Sequence, residues 1–375
     1  MSDRDVVLVC PKLPPTRDGV GDYTYHLASE LAKSHTVTVA TTAGQDVVTG
    51  RFRVVPVSDW TLRGMAPLWP ELEAIRPSFI NVQWVPFLWG RWGLNFALPL
   101  TAWRLRRAGF RVVMTVHEPY MSFDTWRRVP MAVVQRLGLA VLMAASAKIS
   151  VTFSFLRDLF ARRFPWRRDD IFWLPVGSNI PRVPLTDQAR DDVRSGLGFR
   201  RDDLVVVMFH PHGAGKMFDL ALDAWKAIHD GRSDARLLLI GCSRDRVPAD
   251  ILAAGDVVCT GYVEPSRVSH LLSIADLCLA PYIDGVSARR GSVMAAMQHG
   301  VPVITTNGRL TDREVFERSP LALIDVTDPA MFVSEAVRLA ADSAARQQLQ
   351  EPTAAFYERH FSWPLIARSL LERCQ

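Results

Sequence analysis

The residues of this sequence that could bind an anion stand in two short segments, each between an apolar run and a helical pattern. Residues 210–216 read HPHGAGK and residues 287–292 read SARRGS. A lysine ammonium, paired guanidinium groups and the backbone amides of a glycine loop could together neutralise a diphosphate, which carries about two negative charges. These residue types therefore predict a phosphate-binding site in the second half of the chain.

The glycine-lysine pair in the first segment is not a Walker-type phosphate loop. Met217 stands where such a loop places the Ser or Thr that binds magnesium, and the earlier glycine of the pattern is missing. The five cysteines are scattered and unlike any metal-ligand spacing, so they read as thiols of a reducing compartment. The sequence therefore predicts neither a resident metal nor a cofactor.

Repeated strand and helix patterns must position these segments. Short apolar runs alternate with amphipathic stretches in both halves of the chain, as expected of strands buried on both faces of parallel sheets. The runs lie at 6–10, 36–41, 79–82 and 112–116, and then at 204–210, 237–240, 257–259, 277–280 and 303–305. Such units predict an α/β protein with two Rossmann-like, doubly wound domains that face each other across a cleft.

A proline-containing, non-periodic segment at 175–184 separates the two series of runs and is the expected linker. The domains are accordingly expected at 1–180 and 181–358. The last residues, 359–375, contain a tryptophan followed by proline and an amphipathic pattern, which predicts a terminal helix.

The composition indicates a globular protein rather than a disordered chain, with 49% hydrophobic and 22% charged residues. The net charge of +5 is too small to indicate nucleic-acid binding. The start of the chain does not read as a signal peptide. Residues 137–147, eleven residues between charges, are shorter than the roughly 20 that a membrane-spanning helix needs. A cytoplasmic location is expected, with peripheral contact to the inner membrane face left open.

Aromatic and basic residues are concentrated in the first half. Residues 84–103 contain four tryptophans, and residues 101–170 contain thirteen Lys and Arg against five Asp and Glu. Aromatic side chains beside cations suit anionic lipid headgroups or a lipid-linked acceptor. The tryptophans could equally be core residues beside a solvated basic face, or they could stack on the sugar rings of a glycan acceptor.

Five short motifs occur in an order that spans nearly the whole chain. They read GVGDY at 19–23, VHE at 116–118, GYV at 261–263, AMQHGVPV at 296–303 and FSW at 361–363. Each motif is weak alone, but in this order the sequence resembles the retaining glycosyltransferases of the GT-B fold, family 4.

The resemblance implies transfer of a sugar from a nucleoside-diphosphate sugar to an acceptor hydroxyl, with retention of configuration and without a metal. Residues 1–180 would bind a glycan or lipid-linked acceptor, residues 181–358 would bind the nucleotide sugar, and the terminal helix would return to the first domain. Bacterial-type polysaccharide or glycolipid synthesis is the implied setting.

The resemblance also implies roles for particular residues. His117, Lys216 and Arg290 would be catalytic, because His117 faces the donor sugar and the two cations stabilise the departing diphosphate. Free amides at residues 291–293 would add to this anion site. The donor would be bound by Gly19, Gly21, His212, Gly213, Gly215, Tyr262, Val263, Ser287, Arg289, Gly291 and Ser292. The acceptor would be bound by Asp22, Tyr23 and Glu118.

The sequence departs from the family pattern at two carboxylates. The paired glutamates of the family correspond to Ser287 and Ala295, and the arginine of the glycine loop corresponds to His210 or His212. A loss of this kind allows a second interpretation, a non-catalytic GT-B binding protein. A nucleotide-sugar 2-epimerase is a third, although no obvious pair of acid-base carboxylates supports it.

Overall fold

The computed structural model describes residues 5–44, 47–48, 50–121, 125–213, 215–253 and 255–374. The chain divides into two compact units, which we call unit 1 (Met1–Pro175 with Trp363–Gln375) and unit 2 (Val176–Ser362). Each unit contains one parallel sheet with helical connections. The prediction of two Rossmann-like α/β domains is confirmed.

Unit 1 contains a seven-stranded sheet. Its strands are β1 (Asp5–Val9), β2 (Thr36–Thr42), β3 (Arg53–Val57), β4 (Phe79–Trp84), β5 (Val112–Val116), β6 (Lys148–Val151) and β7 (Ile171–Trp173). Its helices before the linker are α1 (Gly19–Leu31), α2 (Leu68–Ile75), α3 (Pro86–Trp89), α4 (Ala97–Arg107), α5 (Val129–Ala145) and α6 (Ser154–Arg163), with 3₁₀ turns at Arg91–Gly93, Trp126–Arg128 and Pro165–Asp170.

Unit 2 contains a six-stranded sheet. Its strands are β8 (Leu204–Phe209), β9 (Ala235–Ile240), β10 (Val257–Cys259), β11 (Leu277–Ala280), β12 (Val303–Asn307) and β13 (Ala322–Asp325). Its helices are α7 (Asp187–Gly196), α8 (Phe218–Gly231), α9 (Ala249–Ala253), α10 (Pro265–Leu272), α11 (Gly291–Gln298), α12 (Arg313–Phe316), α13 (Pro329–Ala341) and α14 (Ser343–Phe361), with a 3₁₀ turn at Arg244–Arg246.

Both sheets reverse their strand order at one point. The order in unit 1 is β3-β2-β1-β4-β5-β6-β7, and the order in unit 2 is β10-β9-β8-β11-β12-β13. In unit 2, β8 lies between β9 and β11, with Val206 paired to Leu237 on one side and to Leu277 on the other. Open α/β sheets bind ligands beyond the carboxyl ends of the strands at such a reversal. The loops after β8 and β11 are therefore the first place to look for a site.

The unit boundaries lie at 175/176 and 362/363, whereas the sequence placed them at 180/181 and 358/359. Helix α14 continues to Phe361 because this buried ring stacks on Phe316 of unit 2, with centroids 5.6 Å apart. The last helix, α15 (Trp363–Cys374), groups with unit 1. There Trp363 stacks on His26 of α1 at 5.2 Å.

One described stretch, Trp126–Ala145, is long and apolar enough by length and composition to cross a membrane, with a mean hydropathy of 1.4. The apolar segment predicted from the sequence began after Arg136, whereas α5 begins at Val129 and continues through Arg136, because a single arginine does not interrupt a helix. One such helix is weak evidence for a membrane span, since core helices pass the same test.

Candidate active site

The two predicted anion-binding segments lie side by side in unit 2. They are the loops that follow β8 and β11 at the point where the strand order reverses. Lys216 and Tyr282 form an isolated antiparallel bridge between the loops. The amide of Ile283 donates to the carbonyl of Gly215 at 2.9 Å, and the amide of Met217 donates to the carbonyl of Pro281 at 3.1 Å. The topology of the sheet thus joins residues that are more than sixty positions apart in the sequence.

The first loop can turn this tightly because of its glycines. Gly215 has a φ of +79°, in the left-handed region that favours glycine. A Cβ at this position would lie 3.4 Å from the Arg290 guanidinium and 3.6 Å from the Asp284 carboxylate. The backbone of the glycine loop therefore runs directly beside the charged side chains of the second loop.

Two cations converge on one buried aromatic ring. The guanidinium of Arg290 lies 4.3 Å from the centroid of the Tyr282 ring, and the ammonium of Lys216 lies 6.0 Å from it. Burial, and to a smaller extent repulsion by Arg290, lowers the pKa of Lys216 from its ordinary 10.5 to about 8. Two positive charges held this close favour an anion between them.

Among the described residues, the Lys216 ammonium is held by backbone oxygens rather than by a carboxylate. It donates to the carbonyl of Phe209 at 3.4 Å and to the carbonyl of His210. These contacts hold the ammonium beside the first residue of the glycine loop.

Asp284 supplies the negative charge of this site in the free protein. Its carboxylate accepts from Arg289 at 3.1 Å and forms a close ion pair with Arg290. In the part of the chain that the structure describes, the Nε of Arg290 is buried without a hydrogen-bond partner. Asp284 thus pairs with two arginines, and Lys216 adds a third positive charge to the two loops, so the site stays electropositive.

Tyr282 forms the buried base of the site, and sequence reasoning missed it. The side chain is 1% exposed, and its hydroxyl lies 2.8 Å from the hydroxyl of Ser292 at the start of α11. The residue stands two positions after β11, at the strand end where site residues collect. That position is the signal that could have revealed it.

The expectation of free amides at residues 291–293 is wrong for two of the three. The amide of Gly291 donates to the carbonyl of Arg289 at 3.1 Å, and the amide of Val293 donates to the carbonyl of Arg290 at 2.9 Å. The chain makes a tight turn before α11, and this turn uses both donors. Two of the three amides are therefore unavailable to an anion, and Gly291 has no free amide for the donor.

The positions of the absent glutamates are buried. Ser287 and Ala295 are both 0% exposed. The Ser287 hydroxyl has no hydrogen-bond partner among the described residues, so it is an isolated buried group rather than a surface for donor binding. The donor contact predicted for Ser287 is therefore not supported by its environment.

The histidines of the glycine loop do not replace the family's arginine as cations. Burial is the largest cause that lowers the pKa of both His210 and His212, and the neighbouring cations lower it further. Both rings are therefore neutral at pH 7. His212 packs edge-on against Phe218, with centroids 4.4 Å apart.

Tyr262 and Val263 follow β10, which is an edge strand of the sheet. Tyr262 is 57% exposed, beside a turn at Gly261 with a φ of +60°. An exposed ring can stack on a nucleobase, so the donor role predicted for Tyr262 stays a prediction.

In unit 1, the start of α1 already holds a carboxylate. Asp18 caps this helix and accepts from the amides of Val20 at 3.0 Å and Gly21 at 3.1 Å. An anionic ligand at these amides would have to displace Asp18. The capping explains the helix start without a donor, and it removes the main reason to assign Gly19 and Gly21 to donor binding.

Gly21 has a packing role instead. A Cβ on Gly21 would lie 2.9 Å from the carbonyl oxygen of Lys12, whereas a Cβ on Gly19 would meet nothing within 4 Å. The glycine lets α1 pack closely on the preceding loop.

We expect Gly21→Ala to lower the free energy of unfolding by about 1–3 kcal/mol, since a clash with backbone outweighs the roughly 0.5–1 kcal/mol that alanine gains in a helix. Chemical denaturation measures this loss. Gly19→Ala is the matched control and should leave the unfolding midpoint unchanged or slightly raised. Equal midpoints for Gly21→Ala and the native chain would contradict the packing role.

His117 lies at the end of β5 and is buried. Its Nε2 is 2.8 Å from Oε1 of Gln83, so the ring donates from Nε2 when the amide presents its oxygen. Gln83 also contacts Asn81, which donates to Thr115 at 2.9 Å in the same buried network. Burial lowers the pKa of His117 to about 4. The ring is neutral at pH 7 and suits a hydrogen-bonding role better than a proton-accepting one.

The three predicted acceptor residues differ in accessibility. Tyr23 is 1% exposed, and its ring packs edge-on against His117 at 4.8 Å and Trp363 at 5.3 Å. Contact between Tyr23 and an acceptor is therefore not supported, because packing buries the whole side chain. Glu118 is exposed and Asp22 is half-buried, so their acceptor roles stay predictions.

Two Rossmann-like units with ligand loops at the strand reversal define the GT-B fold class, and solved structures confirm this fold. A HepE protein from Anabaena in complex with UDP and glucose superposes with a TM-score of 0.72, at 14% identity over 98% of each chain. A glycosyltransferase from Rickettsia africae ESF-5 gives 0.72, at 15% identity over 100% of this chain and 98% of that one. Sucrose-phosphate synthase from Thermosynechococcus elongatus superposes with a TM-score of 0.68, at 17% identity over 98% of this chain and 97% of that one.

Residues 204–342, which include both loops of the site, match the family of glycosyl transferases group 1. No curated protein sequence matches this chain. The family match lies within unit 2, whereas the likeness in fold extends over both units.

Proposed function

We propose that this protein transfers a sugar from a nucleoside-diphosphate sugar to an acceptor hydroxyl, with retention of configuration and without a metal. The observation that carries the proposal is the convergence of Lys216, Arg289 and Arg290 at the strand reversal of unit 2, inside the segment that matches the glycosyl transferases. Three cations against one carboxylate suit a diphosphate. The UDP of the HepE complex makes a nucleoside diphosphate the first ligand class to test.

In the proposed reaction, the bond between the anomeric carbon and the diphosphate oxygen breaks while the acceptor oxygen forms a bond on the same face. Negative charge grows on the departing diphosphate, and Lys216 and Arg290 stabilise that charge. The acceptor hydroxyl gives its proton to an oxygen of the departing phosphate. Preorganised cations of this kind do the work that a metal ion does in other enzymes.

Asp284 would be replaced as the partner of the arginines when the donor binds. Its carboxylate holds both guanidinium groups in position while the site is empty, and the phosphate oxygens then take its place. The same loop thus keeps the cations ordered before the substrate arrives.

We further propose that unit 1 binds the acceptor, which is a glycan or a lipid-linked sugar, and that the enzyme works in the cytoplasm in polysaccharide or glycolipid synthesis. Trp84 and Trp89 of the tryptophan-rich segment are buried core residues, whereas the exposed ring of Trp92 and the exposed carboxylate of Glu118 support acceptor binding by this unit.

The test of the proposed function is release of nucleoside diphosphate from a panel of nucleotide sugars, with and without EDTA, in the presence and absence of simple sugar acceptors. The proposal expects slow release from one donor, unchanged by EDTA. A 2-epimerase would convert the sugar and release no nucleoside diphosphate. Binding of donors with neither reaction would show a non-catalytic binding protein.

The affinity for a nucleoside diphosphate should fall above about pH 8. Lys216 binds an anion only when it is protonated, and in the free protein its pKa is about 8. Above that pH, binding must take up a proton, so the dissociation constant rises by at most about tenfold for each pH unit. The phosphates of the ligand do not change charge there, since the second pKa of a phosphate is about 6.

Isothermal titration calorimetry at pH 7 to 9.5 checks this prediction. Lys216→Ala should bind weakly with no rise in the dissociation constant over the same range. A flat profile for the native chain would contradict the assignment of Lys216 to the phosphates.

A further inference from the structure

An apolar stripe runs along the outside of α5 in unit 1. Val129, Val133, Leu137 and Val141 are all exposed, and Leu137 is 62% exposed. Residues four positions apart lie on one face of a helix. The stripe therefore extends over three turns of the helix on the side that faces away from the core.

The opposite face of α5 holds the helix in the folded unit. Leu139, Leu142 and Met143 are buried in the hydrophobic core together with residues of the sheet. Only about a third of the apolar stretch Trp126–Ala145 is buried. A helix fixed on one side and apolar on the other can lie on a membrane surface, but it cannot cross the membrane without unfolding the unit.

Helix α4 extends this surface. It lies beside α5, where a Cβ on Gly138 would lie 3.8 Å from the ring of Pro99 and the guanidinium of Arg106 donates to the carbonyl of Ala144. Both helices contribute buried residues to the same core, so their exposed sides face the same way. Three large apolar side chains are exposed here: Leu100 and Trp103 on α4, and Phe96 immediately before it. We call these three and the four stripe residues the α4–α5 apolar face.

Arginines border this face. Arg127 and Arg128 are exposed immediately before α5, and Arg107 on α4 lies 5.6 Å from the ring of Trp103. Trp126 is 79% exposed, and the guanidinium of Arg127 lies 5.5 Å from its ring. Neither α4 nor α5 contains an Asp or a Glu. The combination of apolar side chains, exposed tryptophans and arginines matches the chemistry of an anionic bilayer surface.

We propose that the α4–α5 apolar face docks on the surface of a membrane that contains anionic phospholipids. The apolar side chains enter the boundary between headgroups and acyl chains, and the bordering arginines contact the phosphates. Charge complementarity favours a lipid surface over a second copy of the chain, since two copies would bring the arginines of both faces together. This proposal does not depend on the identity of the sugar donor.

Co-sedimentation of the full chain with vesicles tests the proposal. The native chain should bind vesicles of phosphatidylcholine with 30% phosphatidylglycerol, should bind pure phosphatidylcholine at least about tenfold more weakly, and should lose affinity in high salt. Val133→Glu with Leu137→Glu should abolish binding. Arg127→Gln with Arg128→Gln should weaken it by roughly fivefold for each arginine, the factor that corresponds to about 1 kcal/mol per basic residue near an anionic surface.

The matched control is Val337→Glu on α13 of unit 2, which is also an exposed valine on a helix. It should bind vesicles like the native chain, and thermal unfolding should show that every variant is folded. Three results would overturn the proposal. In the first, the native chain shows no binding to anionic vesicles. In the second, Val337→Glu loses as much vesicle binding as the variant with Val133→Glu and Leu137→Glu. The third is a native dimer that Leu137→Glu converts to a monomer. The last result would assign the face to contact between copies. Failure here would leave the proposed transferase activity untouched, because that activity is measured on soluble donors.

Discussion

Replacing Lys216 with alanine is expected to weaken the binding of a nucleoside diphosphate by roughly ten- to a hundredfold. A hydrogen bond to a charged group contributes about 1.5–3 kcal/mol, and each 1.4 kcal/mol changes a dissociation constant tenfold. Lys216 meets both requirements for a large effect: it is partly buried, and its pKa of about 8 keeps it charged at pH 7. Calorimetry at pH 7 measures the change.

Lys226→Ala is the matched control for this substitution. Lys226 lies on α8 with its side chain 49% exposed and pairs with Asp250 at 2.9 Å. Its removal should leave the affinity unchanged. An equal affinity for Lys216→Ala and the native chain would show that the phosphates bind elsewhere.

Replacing Arg290 with alanine is expected to lower the turnover number by about a hundred- to a thousandfold, the range observed when one preorganised donor to a developing charge is removed. Of the two adjacent arginines, Arg290 is the better candidate for stabilising the departing diphosphate. Its guanidinium lies over the ring of Tyr282, and its charge lowers the pKa of Lys216. The effect should fall mainly on turnover, since the charge on the departing diphosphate is greatest in the transition state. Initial rates of nucleoside diphosphate release at saturating donor measure it.

Arg338→Ala controls for the loss of an arginine in the same unit. Arg338 lies on α13, is 55% exposed and pairs with Glu335 at 2.7 Å. Its removal should leave the rate unchanged. Arg290→Ala could instead keep the native turnover number and only raise the donor concentration needed for half-maximal rate. Arg290 would then bind the donor in the ground state, and the proposed leaving-group role would be wrong.

The sequence predicted the central strands of both sheets and the edge strand β10, and it missed β3, β6, β7 and β13 at or near the edges. The central strand β8 reads LVVVMF and is almost wholly buried, so its apolar run is continuous. The edge strand β3 contains Pro56 and alternates between exposed and buried residues. The edge strand β13 has no fully buried residue, and the penultimate strand β6 has only four residues. Strands with one free edge or few residues lack the long apolar run that marks a buried strand.

The candidate site could be predicted as two segments but not as one place. Lys216, Arg289 and Arg290 could be recognised as phosphate-binding candidates, because basic side chains beside glycines suit an anion. The contact of both segments with Tyr282 and the pairing of Asp284 with two arginines depend on the neighbouring positions of β8 and β11, and local sequence does not encode that order.

Roles that depend on burial were the least predictable. Tyr23 and Ser287 are polar residues in motifs, and the sequence offered no sign that packing buries both. The capping of α1 by Asp18 was readable in principle, since Asp before a helix start is a common N-cap. The resemblance to donor-binding glycine loops favoured a ligand there instead.

A thermal-shift screen of UDP, GDP, ADP, TDP and CDP, each with magnesium and with EDTA, tests the central claim most directly. A ligand that binds only the folded protein stabilises it by about 2.7 kcal/mol at a hundredfold excess over its dissociation constant. We predict a clear rise in the unfolding temperature with one nucleoside diphosphate, equal in magnesium and EDTA and markedly smaller in Lys216→Ala at the same ligand concentration. No rise with any of the five, or a rise that requires magnesium, would contradict a cation-built, metal-independent donor site.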